Sequence, residues 1–201
     1  MKIGIMGGTF DPIHVGHLIS AEYAREFIGL DKVFFMPSGL HPFKENDKVT
    51  SSEVRREMTS LAIAENPYFD ISLIGINRKD TNYTIDDIRE LKEIYPDDEI
   101  YFIIGSDIID EIEEWKDFYL LARMCTFVLF DRWGRDQDRI NEKIKELELL
   151  YKMKVQKVKS PVIEISSTAI RNRRREGLSI RYMLPKLVAD YIIKYGIYLD
   201  E

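Results

Sequence analysis

Two histidines three residues apart, His14 and His17, close the run Gly7-Gly8-Thr9-Phe10-Asp11-Pro12-Ile13 near the start of the chain. Imidazoles at that spacing share one helix face and can give hydrogen bonds or positive charge to one ligand. The apolar run at 3–6 reads as a strand and the amphipathic stretch at 15–28 as a helix. Gly7 and Gly8 therefore lie in a strand-to-helix turn, where the absence of a Cβ lets backbone approach a ligand. The helix that follows begins with amides lacking intrahelical partners, at the positive end of its dipole. The expected chemistry is phosphate binding. Neither GxxxxGK[ST] nor GxGxxG occurs, so the two commonest phosphate loops are excluded.

Three further groups bear on the same chemistry. Ile165-Ser166-Ser167-Thr168-Ala169-Ile170-Arg171 places hydroxyls at a helix start, with a guanidinium one turn on. A serine there caps a helix in any protein. Alternatively, the hydroxyls, helix amides and Arg171 converge on phosphates. Gly105-Ser106-Asp107 follows the apolar strand YFII and precedes helical residues, a common strand-to-helix turn. Trp115, eight residues beyond Asp107, is a packing residue or a platform for an aromatic ring. The Arg173-Arg174-Arg175 run reads as a solvated helix face.

The elements that must position these groups alternate. Strand-like runs occur at 3–6, 32–36, 70–74, 99–104, 125–130 and near 153–158, with helical patterns at about 15–28, 50–65, 84–95 and 136–151. Thr50-x-x-Glu53 reads as a capping box and Thr84-x-x-Asp87 as a weaker relative. Ile85, Ile88, Leu91 and Ile94 give the latter helix an apolar stripe. This alternation predicts an α/β fold, a mostly parallel sheet with helices on both faces and ligands beyond the carboxyl ends of its strands. Residues 179–196 read as a helical C-terminal part, with Pro185 in a first turn and Gly196 as a stop. One domain over 1–201, with 179–201 a helical appendage, is the expected organisation.

Composition is that of an ordinary globular protein, 45% hydrophobic and 32% charged. No apolar run approaches the ~20 residues that span a bilayer, and Met1-Lys2 leads into a strand rather than a signal peptide. The single Cys125 lies in an apolar run and cannot form an internal disulfide. A net charge of −6 gives no global attraction to nucleic acid, so anion binding must be local. A cytoplasmic protein without nucleic-acid or membrane partners is expected. His14 and His17 could ligate zinc, but only His41 and Cys125 remain to complete such a set.

The block Thr9 to His17 resembles the HxGH signature of the nucleotidylyltransferase superfamily, and ISSTxIR resembles its second hallmark. GGTFDPIHxGH, an R-x-x-M near 56–59, LAIAENPxF, Arg78 followed by Tyr83-Thr84, IIGSD, W-K-D and ISSTxIR occur in one order. That order is similar to the bacterial nicotinate mononucleotide adenylyltransferases over nearly the whole chain. The resemblance implies a Rossmann-like fold and transfer of AMP from ATP to nicotinate mononucleotide, with release of pyrophosphate. It implies an ATP site at Gly7, Gly8, Thr9, Phe10, His14, His17, Gly105, Asp107, Ser166, Ser167, Thr168 and Arg171. Catalytic roles fall on His14, His17, Lys44 and Arg171, and the mononucleotide on Lys44, Tyr83, Thr84 and Trp115. Mg²⁺ would accompany ATP with no dedicated protein ligands, and homo-oligomers are common in the family although no residue here marks an interface.

Three departures from the family pattern stand out. The loop reads Leu40-His41-Pro42-Phe43-Lys44 where Pro-Pro-His-Lys is usual, so His41 either substitutes for the loop histidine or is solvated. Asn82-Tyr83-Thr84 replaces Ser-Tyr-Thr, and Asp131-Arg132-Trp133-Gly134-Arg135 stands where Arg-Pro-Gly is usual. The acceptor phosphate is already an anion at neutral pH, which removes the need for a general base. Preference for the acid over the amide ring rests on the resemblance. An adenylyltransferase with another acceptor, nicotinamide mononucleotide or phosphopantetheine, and a non-catalytic nucleotide sensor are the competing readings.

Overall fold

The computed structural model describes residues 1–39, 49–78, 81–131, 137–161 and 163–199. Six strands form one sheet: β1 (Lys2–Gly8), β2 (Lys32–Pro37), β3 (Phe69–Ile71), β4 (Glu99–Gly105), β5 (Thr126–Asp131) and β6 (Lys154–Lys159). Their order is β3-β2-β1-β4-β5-β6 and every pairing is parallel. The chain therefore runs outward twice from β1, and the strand order reverses between β1 and β4. A crevice opens at such a switch point, beyond the carboxyl ends of both strands.

Strand side chains alternate between two cores. Ile3, Ile5, Ile100, Phe102, Ile104, Phe127 and Leu129 face helices α4 (Thr84–Ile94), α5 (Phe118–Met124) and α6 (Gln137–Tyr151). Met6, Tyr101, Ile103, Val128 and Phe130 face α1 (Val15–Ile28), α2 (Ser52–Ile63), α7 (Ser167–Arg175) and α8 (Lys186–Lys194). Burial on both faces is why the central strands read as unbroken apolar runs. Cys125 is buried, its Sγ donating to the Leu121 carbonyl (3.7 Å), and burial pushes its thiol up to about 12, so it stays protonated and inert. Among the described residues no helix is long and apolar enough to cross a membrane.

Several local expectations are corrected. The run at 70–74 is not one strand: β3 stops at Ile71, and the one-turn helix α3 (Ile74–Asn77) begins at Ile74. Only Val33–Phe35 of β2 pair with it, and the Ser72 amide closes the ladder on the Phe35 carbonyl (2.8 Å). The N-cap of α2 is Ser51, whose Oγ accepts from the Val54 amide, so Thr50 is not the capping residue. The Thr50 amide donates instead to Asp11 Oδ2 (3.3 Å).

Thr84 opens α4 but does not cap it, because Tyr83 holds the N-cap position and Asp87 turns inward. Gly105-Ser106-Asp107 leads into turns and a 3-10 segment at Ile112–Glu114, with α5 starting only at Phe118. The C-terminal part is helical only over Lys186–Lys194, with Pro185 at the N-cap and Gly196 in the left-handed region that ends it (φ 64°). Ile180, Leu184, Val188, Ala189 and Ile192 are buried in the same core as α1 and α2.

Candidate active site

The turn after β1 folds Phe10 inward. Its ring is buried, edge-on to His17 (centroids 5.1 Å apart) and tilted against Phe35 (5.9 Å). Phe10 adopts φ 51°, and a Cβ on Gly8 would lie 2.9 Å from its ring. Gly8 is thus required by the folded-back phenyl group, and Phe10 has only its main chain to offer a nucleotide. Asp11 follows, joined to Pro12 by a cis peptide bond.

His14 is the N-cap of α1 in extended conformation, so it stands beside the helix rather than on its face. Its ring stacks on that of His17, centroids 3.7 Å apart. His17 Nδ1 accepts the His14 main-chain N–H (3.2 Å), the reciprocal half of a capping box made with an imidazole. A nitrogen that accepts carries no proton, so the neutral ring is protonated at Nε2, which becomes its donor. Local structure therefore sets the tautomer of His17, leaving Nε2 as its donor.

The glycine between the histidines has its own steric reason. A Cβ on Gly16 would lie 3.0 Å from His14 Nδ1 and 3.1 Å from Cε1. The His14 ring is held between that position and His17, with little room to retreat. Gly16→Ala is expected to lower kcat at least ~10-fold through displaced imidazoles, while helix propensity favours alanine by up to ~1 kcal/mol. Steady-state rates beside a thermal melt check this; unchanged kcat would show that the ring can move without consequence.

The expectation of unpaired amides at the start of α1 needs correction. The Val15 amide donates to the Met183 carbonyl (3.1 Å) and the His17 amide to the His14 carbonyl (3.0 Å). The C-terminal part thus caps the helix, through the Met183 carbonyl.

Further side chains arrive from α7. Ser166 takes the capping role, its Oγ accepting from the Ala169 amide (3.1 Å). Ser167 Oγ donates to the Pro12 carbonyl (2.8 Å), and Arg171 Nη1 to the Asp11 carbonyl (2.7 Å). Arg171 Nη2 also reaches Thr168 Oγ1 (3.3 Å). Two motifs more than 150 residues apart are therefore pinned together by two hydrogen bonds, Ser167 to Pro12 and Arg171 to Asp11.

Three buried groups that the sequence did not single out brace the turn. The Asp11 carboxylate is 5% exposed and accepts from Tyr198 Oη (2.6 Å) and the Thr50 amide (3.3 Å). Arg55 Nη1 donates to the Thr9 carbonyl (2.8 Å) and Nε to the Thr50 carbonyl (2.9 Å). Burial lowers the Arg55 pKa, against the raising effect of Asp11. The R-x-x-M pattern falls on Arg55 and Met58, both buried, which was the one available signal for this bracing.

A second cluster lies at the start of α4. Asn82 Nδ2 donates to both Asp87 carboxylate oxygens (2.7 and 2.8 Å), Arg78 Nε donates to Oδ1 (2.9 Å), and Asn82 Oδ1 accepts from the Gly39 amide (3.3 Å). Burial pushes the Asp87 carboxyl up, and the Asn82 and Arg78 hydrogen bonds oppose this. Asparagine in place of the usual serine thus ties the strand β2 loop to α4. Lys116 Nζ lies 4.5 Å above the Tyr83 ring and bonds Asp86 (2.9 Å), while half-buried Trp115 meets Phe102 edge-on (6.1 Å). Tyr83 and Trp115 both pack against the core beneath α4 and α5.

At the end of β4, Ser106 is fully buried and its amide donates to the Phe130 carbonyl (3.1 Å), which sets Gly105 and Asp107 beside the end of β5. Lys44, His41, Phe43 and the segment from Arg132 to Arg135 lie outside the described residues. Among the described residues no three His, Cys, Asp or Glu side chains group to hold a metal ion.

A family model described as cytidylyltransferase-like matches residues 5–173. A Thermoanaerobacter protein named "Probable nicotinate-nucleotide adenylyltransferase" is 46% identical, over 100% of this chain and 96% of its own. A Thermus thermophilus protein of the same name is 38% identical, over 98% and 100%. Among solved structures, Plasmodium falciparum nicotinic acid mononucleotide adenylyltransferase complexed with NaAD superposes with a TM-score of 0.79 at 23% identity, covering 98% of this chain and 97% of that one. The structural likeness supports the fold, and the full-length sequence identity places this chain in the nicotinate-nucleotide adenylyltransferase family.

Proposed function

We propose that this chain transfers the AMP group of ATP to the 5′-phosphate of nicotinate mononucleotide, giving nicotinate adenine dinucleotide and pyrophosphate. The observation that carries the reading is the convergence of His14, His17, Ser167 and Arg171 on the turn after β1. An acceptor phosphate oxygen bonds to the α-phosphorus as the bond to the β-phosphate oxygen breaks. The electron pair leaves with pyrophosphate, and no proton need be abstracted.

The protein's task is then in-line placement and neutralisation of charge. His17 Nε2 donates to the α-phosphate, His14 and Arg171 attend the triphosphate, and Ser167 and Thr168 hold the leaving group. Gly7, Gly8, Thr9 and Phe10 line the nucleotide through their main chain, and Gly105 and Asp107 face it from β4. Lys44 manages the charge of the incoming mononucleotide. Imidazole, guanidinium and hydroxyl donors suit phosphate oxygens rather than a hard cation, so Mg²⁺ arrives on the triphosphate rather than in a protein cage. The residues work as one unit, in the cytoplasm.

Tyr83, Thr84 and Trp115 form the ring subsite in this reading. Trp115→Ala is expected to raise KM for the mononucleotide roughly three- to tenfold, the worth of one aromatic stack, and to leave the ATP KM unchanged. An altered ATP KM would remove Trp115 from the ring subsite. The reaction itself is tested by pyrophosphate release from Mg-ATP with nicotinate mononucleotide, nicotinamide mononucleotide and phosphopantetheine in parallel. Turnover confined to the acid mononucleotide supports the assignment. Preference for another acceptor moves the ring subsite, and silence with all three overturns the reaction.

A further inference from the structure

The last residues of the described chain reach the centre of the site. After α8 the backbone turns through Gly196 (φ 64°), and the Ile197 amide returns to the Ile192 carbonyl (3.0 Å). Tyr198 follows with φ 66°, a left-handed conformation uncommon for a residue other than glycine. Its hydroxyl then donates to Asp11 Oδ1 (2.6 Å), across 187 residues of sequence, and lies 4.0 Å from Met58 Sδ.

Asp11 faces two ways. Its carboxylate is tied to the tail through Tyr198 and to Thr50 ahead of α2, while its carbonyl accepts Arg171 Nη1. The neighbouring Pro12 carbonyl accepts Ser167 Oγ, and three residues after Asp11 comes His14. Rotation of this short segment would move the histidines and the Arg171 contact together. We infer that Tyr198 is a positioning residue for adenylyl transfer, acting through Asp11 to hold the catalytic turn in register with α7. The inference rests on the reaction proposed above. Burial and the Asp11 charge hold the phenol pKa far above its ordinary value, so Tyr198 remains a donor throughout the neutral range.

The test compares Tyr198→Phe with Ile192→Val in the full-length protein. Ile192 is fully buried in the same C-terminal helix, so the valine variant loosens packing without touching Asp11. Tyr198→Phe is expected to lower kcat about tenfold with both KM values within twofold, as a misaligned catalytic group does. It should also shift the ¹⁵N resonances of the His14 and His17 rings. Ile192→Val is expected to lower the melting temperature while leaving kcat and both imidazole signals in place. Unchanged imidazole signals in Tyr198→Phe, or equal kcat losses in the two variants, would overturn the assignment. The imidazole spectra need no turnover, so a wild-type chain inactive with nicotinate mononucleotide would defeat the reaction while the spectra still decided on Tyr198.

Discussion

His17→Ala should lose at least ~100-fold in kcat, with little change in stability. The size follows from what the side chain supplies in the proposed reaction: a donor fixed at Nε2 by the His14 N–H on Nδ1, given the task of meeting the charge that develops during transfer. Loss of one prearranged donor at such a position costs ~3–4 kcal/mol of transition-state stabilisation. The ground state loses far less, because the imidazole is partly exposed and its hydrogen bond with the His14 amide is a capping contact. KM for ATP should therefore move much less than kcat. His17→Asn, which can place an amide near the same point, should recover part of the rate. Near-normal turnover in the alanine variant would remove His17 from the chemistry, whatever the fate of the other residues.

Arg55→Ala is expected to cost about 3 kcal/mol of folding stability, the largest loss anticipated for a single polar side chain here. The guanidinium is only 3% exposed and supplies two short hydrogen bonds, to Thr9 and Thr50. Truncation leaves both carbonyls without those donors and removes one of the two positive charges near Asp11, the other being Arg171. In a chain of 201 residues the melting temperature should fall by roughly 6–12 °C. Arg55→Lys should not restore it, because an ammonium cannot span two carbonyls as the planar fork does. Denaturant titration measures the change, and a loss below about 1 kcal/mol would show that the turn is held by other contacts.

The central elements were legible because their signals are local. Unbroken apolar strands and the stripe of Ile85, Ile88 and Leu91 on α4 are consequences of burial at a fixed period, although Ile94, the last residue of the expected stripe, is exposed; α1 occupies the expected residues 15–28. Boundaries failed where tertiary partners took over. Thr50 gave its amide to Asp11 and left the cap to Ser51, and Asp87 left the helix start for Asn82 and Arg78. The run at 70–74 broke because β3 has only three residues of β2 to pair with.

The site divides in the same way. By itself the sequence determined which residue types are proposed to handle phosphate, since the glycine turn, His14, His17 and Ser166 to Arg171 lie in two short blocks whose chemistry depends on near neighbours. Only the tertiary structure decided how they are aimed. The bond from Ser167 to Pro12, that from Arg171 to Asp11, and those of buried Arg55 and half-buried Tyr198 all join residues far apart along the chain. Nor could spacing show that Met183 closes the end of α1, or that Gly16 is small to make room for the His14 ring. Chain-local patterns encode which groups are present; the contacts that orient them exist only once the sheet has brought its strand ends, α7 and the C-terminal turn to one place.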